Sequence, residues 1–204
     1  VNAKENDGLM YEFALRGGSV PTATPTVTPQ PTATPVGTPT ATPVPGAQLT
    51  INPSGDTFVR SDWPNSSYST NTALRVVASP TINSYLKFNV SGLSGAPQSA
   101  RLRLYVTDPS TNGGAIYLVS NNYNGTSTAW VDNGLNYNNA PPISGTPLSS
   151  LGSVSSGAWI EFDVTAAVTG NGTYSFAIAS SSTNSVYYNT KEAGSNTPVL
   201  VITQ

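Results

Sequence analysis

Between Ser84 and Thr107 the sequence reads SYLKFNVSGLSGAPQSARLRLYVT, and this stretch restricts the fold more than any other. Leu86, Phe88 and Val90 alternate with Tyr85, Lys87 and Asn89. After a short Gly/Pro loop, Leu102, Leu104 and Val106 alternate with Arg101, Arg103 and Tyr105. Successive side chains on a strand point to opposite faces, so each strand has one apolar face and one polar, basic face. The pair is expected to form one side of a sandwich, with Leu, Phe and Val inward and Lys, Arg and Tyr outward. The outward set is the first candidate for a binding surface.

The same signal recurs through the C-terminal region. Strands are expected at 47–52, 56–60, 73–77, 82–89, 99–107, 115–119, 158–164, 172–180, 185–190 and 198–203, with Gly, Pro, Asn and Ser clusters between them. No ten-residue segment carries helical periodicity, and Val164–Val168 is expected to form one turn. Many short strands with frequent turn signals predict an all-β, antiparallel β-sandwich with a single core over Ala47–Gln204. Ser120–Gly157 reads as a long loop, a length that is usually functional or carries its own packing.

Two segments precede that domain. In Val1–Gly18, Leu9, Tyr11, Phe13 and Leu15 alternate with Met10, Glu12, Ala14 and Arg16. This is a strand pattern with no partner nearby. It reads as the tail of an upstream domain, the other reading being an unstructured leader. The chain begins at Val1 with no initiator Met, so it is expected to be a piece of a longer secreted protein. Ser19–Gly46 repeats the unit PTATP at Pro21–Pro25, Pro31–Pro35 and Pro39–Pro43. Proline fixes φ and removes a backbone donor, so the tract is expected to be a disordered spacer of extended, polyproline II character, at about 3.1 Å per residue. Its Thr/Pro richness matches O-glycosylated stalks in composition. Such a linker holds a module close to a partner domain's target without fixing its orientation.

Composition removes several kinds of chemistry. There is no Cys and no His, which excludes disulfides, thiolate zinc sites, cysteine nucleophiles and His-based triads. The formal net charge of −2 gives no overall attraction to nucleic acid or anionic membranes. No apolar run is long enough to cross a bilayer, so no membrane insertion is expected. Charged residues make up only 9% of the chain. Solubility must come from Ser, Thr, Asn and Gly, a composition common in secreted or cell-surface all-β modules.

Eight phrases in order then carry a resemblance: GDTFVR (Gly55–Arg60), LRV (Leu74–Val76), SYLKFNVSGL (Ser84–Leu93), SARLRLYV (Ser99–Val106), WVDNGLNYNNAP (Trp130–Pro141), WIEFDVT (Trp159–Thr165), GNGTYSFAI (Gly170–Ile178) and KEAGSNTPVLVI (Lys191–Ile202). Together they resemble the DNRLRE domain, also classed as carbohydrate-binding module family 96, over essentially all of Ala47–Gln204. The resemblance implies a jelly-roll-like sandwich in secreted proteins, often appended to polysaccharide-active enzymes or surface proteins. It also implies a polysaccharide partner, characterised members binding the anionic polymer alginate. The sequence departs from the family in its loop motif. Asp132 stands where the family usually has Glu, and Asn136-Tyr137 stand where it has Thr-Trp.

Candidate site residues follow. Arg60, Arg75, Lys87, Arg101 and Arg103 hold most of the domain's positive charge, and an Arg fork suits the carboxylate of a uronic acid. Tyr85 and Tyr105 share the outward faces and could stack on sugar rings. The competing reading is a solvated face, with salt bridges to Glu161 and Asp163. Trp63, Tyr68 and Tyr123 lie in loops, as glycan platforms or as anchors; Trp130 and Tyr137 in the long loop read as packing residues. Glu161 and Asp163 sit two apart on one strand face, so they do not flank a bond as glycosidase acids do. Asp56 and Glu192, with nearby carbonyls, are the candidate calcium ligands, although no contiguous acidic loop supports them and turn chemistry explains them too. The expectation is a non-catalytic carbohydrate-binding module that tethers an upstream domain to a polysaccharide. The alternative is a structural or adhesive surface module.

Overall fold

In the computed structural model, the described residues are Gly17, Gly18 and Gly46–Gln204. The strand expected near the N-terminus and nearly all of the Thr/Pro linker lie outside them. Eleven strands follow in chain order: β1 (Gln48–Ile51), β2 (Gly55–Arg60), β3 (Ala73–Val76), β4 (Ile82–Val90), β5 (Ser99–Asp108), β6 (Gly114–Val119), β7 (Ser149–Leu151), β8 (Trp159–Asp163), β9 (Gly172–Ala179), β10 (Val186–Asn189) and β11 (Val199–Thr203). Ten match the expected strands within two residues. β7, inside the long loop, was not expected; it is only three residues long and carries no alternation of its own. Val164–Val168 does form a turn, closed by the N–H groups of Ala167 and Val168 on the Val164 carbonyl.

The strands form two wholly antiparallel sheets, the sandwich that the alternation predicts. The five-stranded sheet runs β2-β4-β9-β6-β7. In the six-stranded sheet β8 pairs with one edge of β5, and β11 and β10 pair with the other edge end to end, each extended by β1 and β3 respectively. The chain alternates between sheets at most steps. In particular, β4 and β5 lie in different sheets, which corrects the expectation that Ser84–Thr107 forms one side of the sandwich. Alternation decides which side chains face the core but not which sheet holds the strand. Leu86 and Phe88 from one sheet and Leu102 and Leu104 from the other join the same core with Phe162, Phe176 and Ile116, all fully buried.

The long loop explains why the outer face of the five-stranded sheet is not solvated. Trp130, Leu135 and Ala140 fold back over β4, β6 and β9 and make a second apolar cluster with Val59, Tyr85, Val119 and Ala177. Covered on both faces, β4 is buried along most of its length although Lys87 points outward, and the edge strand β2 beside it is buried as well. Asparagines hold the loop's own turn. Asn136 Oδ1 accepts the N–H groups of Asn138 and Asn139, and the Asn139 side chain donates to the Gly134 carbonyl at 2.9 Å. Among the described residues no helix is long and apolar enough to cross a membrane.

One glycine is essential to the close approach of β6 and β9. Gly114 has φ +96°, and a Cβ there would lie 2.8 Å from Ile178 Cγ2 and 3.0 Å from the Ala179 carbonyl oxygen. Gly114→Ala is expected to cost about 1–3 kcal/mol, from positive φ and overpacking together. Urea unfolding checks this; a change within about 0.5 kcal/mol would contradict it.

Candidate functional site

The expected binding residues separate into three places. Arg75, Arg101, Arg103 and Tyr105 project from the outer face of the six-stranded sheet. Arg101, Arg103 and Tyr105 follow one another along β5 and meet Asp163, Glu161 and Trp159 of β8 in register. Arg101 pairs with Asp163 and Arg103 with Glu161, each at 3.0 Å. These are the salt bridges of the competing reading. Both pairs are half-exposed, so each contributes at most about 1 kcal/mol to stability. Hydrogen bonds from the Thr165 hydroxyl and N–H hold the Asp163 carboxyl below its usual range. That is the opposite of what a general acid needs.

Trp159 completes this face. It is 38% exposed, Tyr105 meets its ring edge-on at 5.5 Å, and the Arg103 guanidinium lies 5.1 Å over it. A second pair of the same kind sits farther along the sheet, where Arg75 lies 5.3 Å over the Tyr187 ring. Arg75 also donates to the Ser185 hydroxyl. Among the described residues no carboxylate lies within ion-pair distance of Arg75. From strand spacing and rise, the two aromatic residues are roughly 14 Å apart. On this face Trp159 lies level with Tyr105, Arg103 and Arg101 continue along β5 on the side away from Tyr187, and Arg75 lies beside Tyr187. Trp159 and Tyr187 were missed by the sequence reading, although their parity against Ile160, Phe162, Val186 and Tyr188 signals an outward position.

Tyr85 and Lys87 are not on that face. They belong to the other sheet and lie beneath the long loop, which corrects their expected outward exposure. Tyr85 is buried and donates its hydroxyl to the Pro141 carbonyl at 3.0 Å. Burial pushes the tyrosine's pKa up from its ordinary value. Lys87 is 8% exposed; its Nζ donates to the carbonyls of Asn121 (3.1 Å) and Trp130, and sits 4.0 Å from the Trp130 ring centre. Burial lowers the lysine's pKa, and the carbonyl dipoles and the ring stand in for solvent. Lys87 therefore works as a loop anchor. Beside it runs an open groove of about 520 Å3, lined by Ser54, Asn89, Asn121, Asp132 and Thr173 among others.

Arg60 and Trp63 occupy a third place, the end of β2 and the loop after it. Arg60 makes a forked pair with Asp62, with Nε–Oδ1 at 2.9 Å and Nη2–Oδ2 at 2.6 Å. Those bonds hold the Asp62 carboxyl below its usual range. Trp63 is 61% exposed, the most open of the large apolar side chains among the described residues. The following Pro64 carbonyl accepts the Asn138 N–H at 3.2 Å, which ties this loop to the one carrying the part-exposed Tyr137. The other loop aromatics are anchors. Tyr68 stacks on Phe58 at 4.3 Å, the Tyr123 hydroxyl accepts the Val131 N–H, and Trp130 is buried.

Asp56 and Glu192, the expected calcium ligands, are neighbours. Asp56 is fully buried, its Oδ2 accepts the Lys191 backbone N–H at 2.9 Å, and its carboxyl is within hydrogen-bonding reach of that of Glu192. Burial, with the Glu192 charge adding to it, pushes the Asp56 carboxyl well above its ordinary range. Lys191 Nζ bridges Glu192 and Asp132, the latter at 2.9 Å. The position where this sequence carries Asp132 thus joins the long loop to the turn before β11.

A family model described as carbohydrate-binding module family 96 matches residues 47–204. A search of the curated proteins finds no match.

Proposed function

The chain belongs to carbohydrate-binding module family 96, and on that premise we propose that Ala47–Gln204 is a non-catalytic module that tethers a secreted protein to a polysaccharide, an anionic one such as alginate. The observation that carries this reading is the outer face of the six-stranded sheet, where Trp159 stands half-exposed beside Tyr105, Arg103 and Arg101. An upright indole offers a hydrophobic face to sugar C–H groups. The guanidinium forks beside it offer N–H donors to hydroxyls or a uronate carboxylate. Arg101 and Arg103 each already pair with a carboxylate of their own chain through a single contact, and a ligand carboxylate can take their remaining donors. Arg75 offers its charge with no carboxylate within ion-pair distance among the described residues.

Charge alone does not drive the binding. Residues 47–204 carry six Lys or Arg against seven Asp or Glu, a balance of −1. Stacking and hydrogen bonding therefore supply most of the affinity, and local arginines supply the preference for acidic polymers. Glu161 and Asp163 act as partners of the arginines rather than as an acid and a base.

Native electrophoresis of the full chain through gels containing alginate, pectin, xylan or a neutral β-glucan tests the reading, at low and high salt. Retardation by alginate is expected, reduced but not abolished at high salt. Retardation by the neutral glucan alone would shift the specificity to stacking on Trp63 or Trp159. No retardation by any polymer would favour the structural or adhesive module instead.

A further inference from the structure

The turn before β11 gathers more negative charge than its own residues neutralise. Asp132 and Glu192 pair with the ammonium of Lys191, and Asp56 beside them accepts only that residue's backbone N–H. Fully ionised, three carboxylates and one lysine leave a local charge of −2. Two carboxylate oxygens there, Asp56 Oδ1 and Glu192 Oε2, are buried and have no hydrogen-bond partner. An unsatisfied carboxylate oxygen away from water is costly, so something positive or proton-bearing belongs against it.

We propose that Asp56 Oδ1 and Glu192 Oε2 hold a calcium ion. The two oxygens are the ones Lys191 leaves unused, since its N–H takes Asp56 Oδ2 and its Nζ takes Glu192 Oε1. The ion therefore needs no displacement of the lysine. A divalent cation brings the cluster to neutrality, whereas a shared proton leaves −1. The donors are all oxygen, which selects a hard cation. Calcium tolerates an irregular shell completed by carbonyls and water, whereas magnesium demands a near-octahedral one. Asp132 is not a ligand here: among the described residues no three acidic side chains converge on one point. It acts through Lys191, so the ion, the lysine and Asp132 together pin β2, the long loop and the turn before β11. Two carboxylates are a modest ligand charge, so affinity is expected in the range of extracellular modules, about 10⁻⁴–10⁻³ M.

Trp130 supplies the readout. Its ring packs against Gly55, where a Cβ would lie 3.6 Å from the indole Cζ3, next to Asp56 in sequence. Titration of the full chain with Tb3+ under tryptophan excitation is expected to give sensitised emission that calcium competes away. The thermal midpoint in about 10 mM calcium is expected to exceed that in EDTA by about 3 °C or more. Asp56→Asn alters a fully buried group, so Glu192→Gln, on a more accessible turn, is the decisive variant. It should abolish the emission and the calcium-dependent shift while its midpoint in EDTA stays near that of the parent. Failure of the parent chain to show either signal would overturn the proposal and leave a shared proton as the partner of the two oxygens. Undiminished emission from Glu192→Gln would overturn it too. Neither result bears on glycan retention, which uses other residues.

Discussion

Trp130→Ala is expected to lower the unfolding free energy by about 3–5 kcal/mol, the range for deleting a large aromatic side chain from a packed interior. The ring is 1% exposed although it sits in a loop. It packs with Leu135, Val59 and Tyr85, donates Nε1–H to the Ser120 carbonyl at 3.3 Å, and forms one wall around the Lys87 ammonium. Alanine leaves a cavity and also exposes a buried cation to an incomplete shell. The two costs fall on one element, since the same loop covers β4 and β9. Because stabilities of whole domains are only about 5–15 kcal/mol, a loss of this size should be visible as a large drop in the urea midpoint. Trp130→Phe keeps the packing and loses the indole donor, so it should fall between the two. A loss below about 1 kcal/mol for alanine would mean the loop is not anchored there, and the account of Lys87 as its buried post would fail with it.

Lys87 also marks the limit of what alternation can reveal. Parity alone places Leu86, Phe88 and Val90 towards the core and Tyr85, Lys87 and Asn89 away from it, and Leu86 and Phe88 are fully buried as expected. Yet parity says only that Lys87 points away from the core, not that the outside is water. What buries it is a segment 43 residues away in sequence, whose Trp130 carbonyl and ring close over the ammonium. The sheet to which a strand belongs is hidden for the same reason. β4 and β5 are adjacent in sequence and both amphipathic, but each pairs with strands distant in the chain. The outer face of the six-stranded sheet was partly legible. Arg101 and Arg103 were placed outward, and their pairing with Asp163 and Glu161 was weighed in advance. The cross-strand match of Tyr105 with Trp159 depends on the β5–β8 register, which no local pattern encodes. The loop asparagines, by contrast, stand in the sequence just where the turn uses them.

Trp159→Ala is expected to weaken retention by the preferred polysaccharide at least about tenfold, equivalent to about 1.4 kcal/mol or more, as exposed aromatic anchors at binding surfaces commonly do. The indole is held upright by Tyr105 at its edge and Arg103 over its ring, so little ordering remains to be done when a sugar docks. Its removal also frees Arg103 to move, loosening the neighbouring Glu161 pair. The effect on folding should be small, because the ring is 38% exposed and β8 stays anchored by the fully buried Phe162. A loss of retention with an unchanged urea midpoint would therefore locate the ligand on this face. Trp63→Ala is the informative comparison, since Trp63 is more exposed and lies in a different loop. If Trp63→Ala abolishes retention and Trp159→Ala does not, the glycan sits at the loop end of the sandwich beside Tyr137, and the sheet arginines are stabilising pairs only. If both weaken it, the polymer crosses from the sheet face to the loop end. Replacing Arg75, whose guanidinium makes no ion pair among the described residues, should then reduce the salt-sensitive part of the binding and leave the stacking part intact.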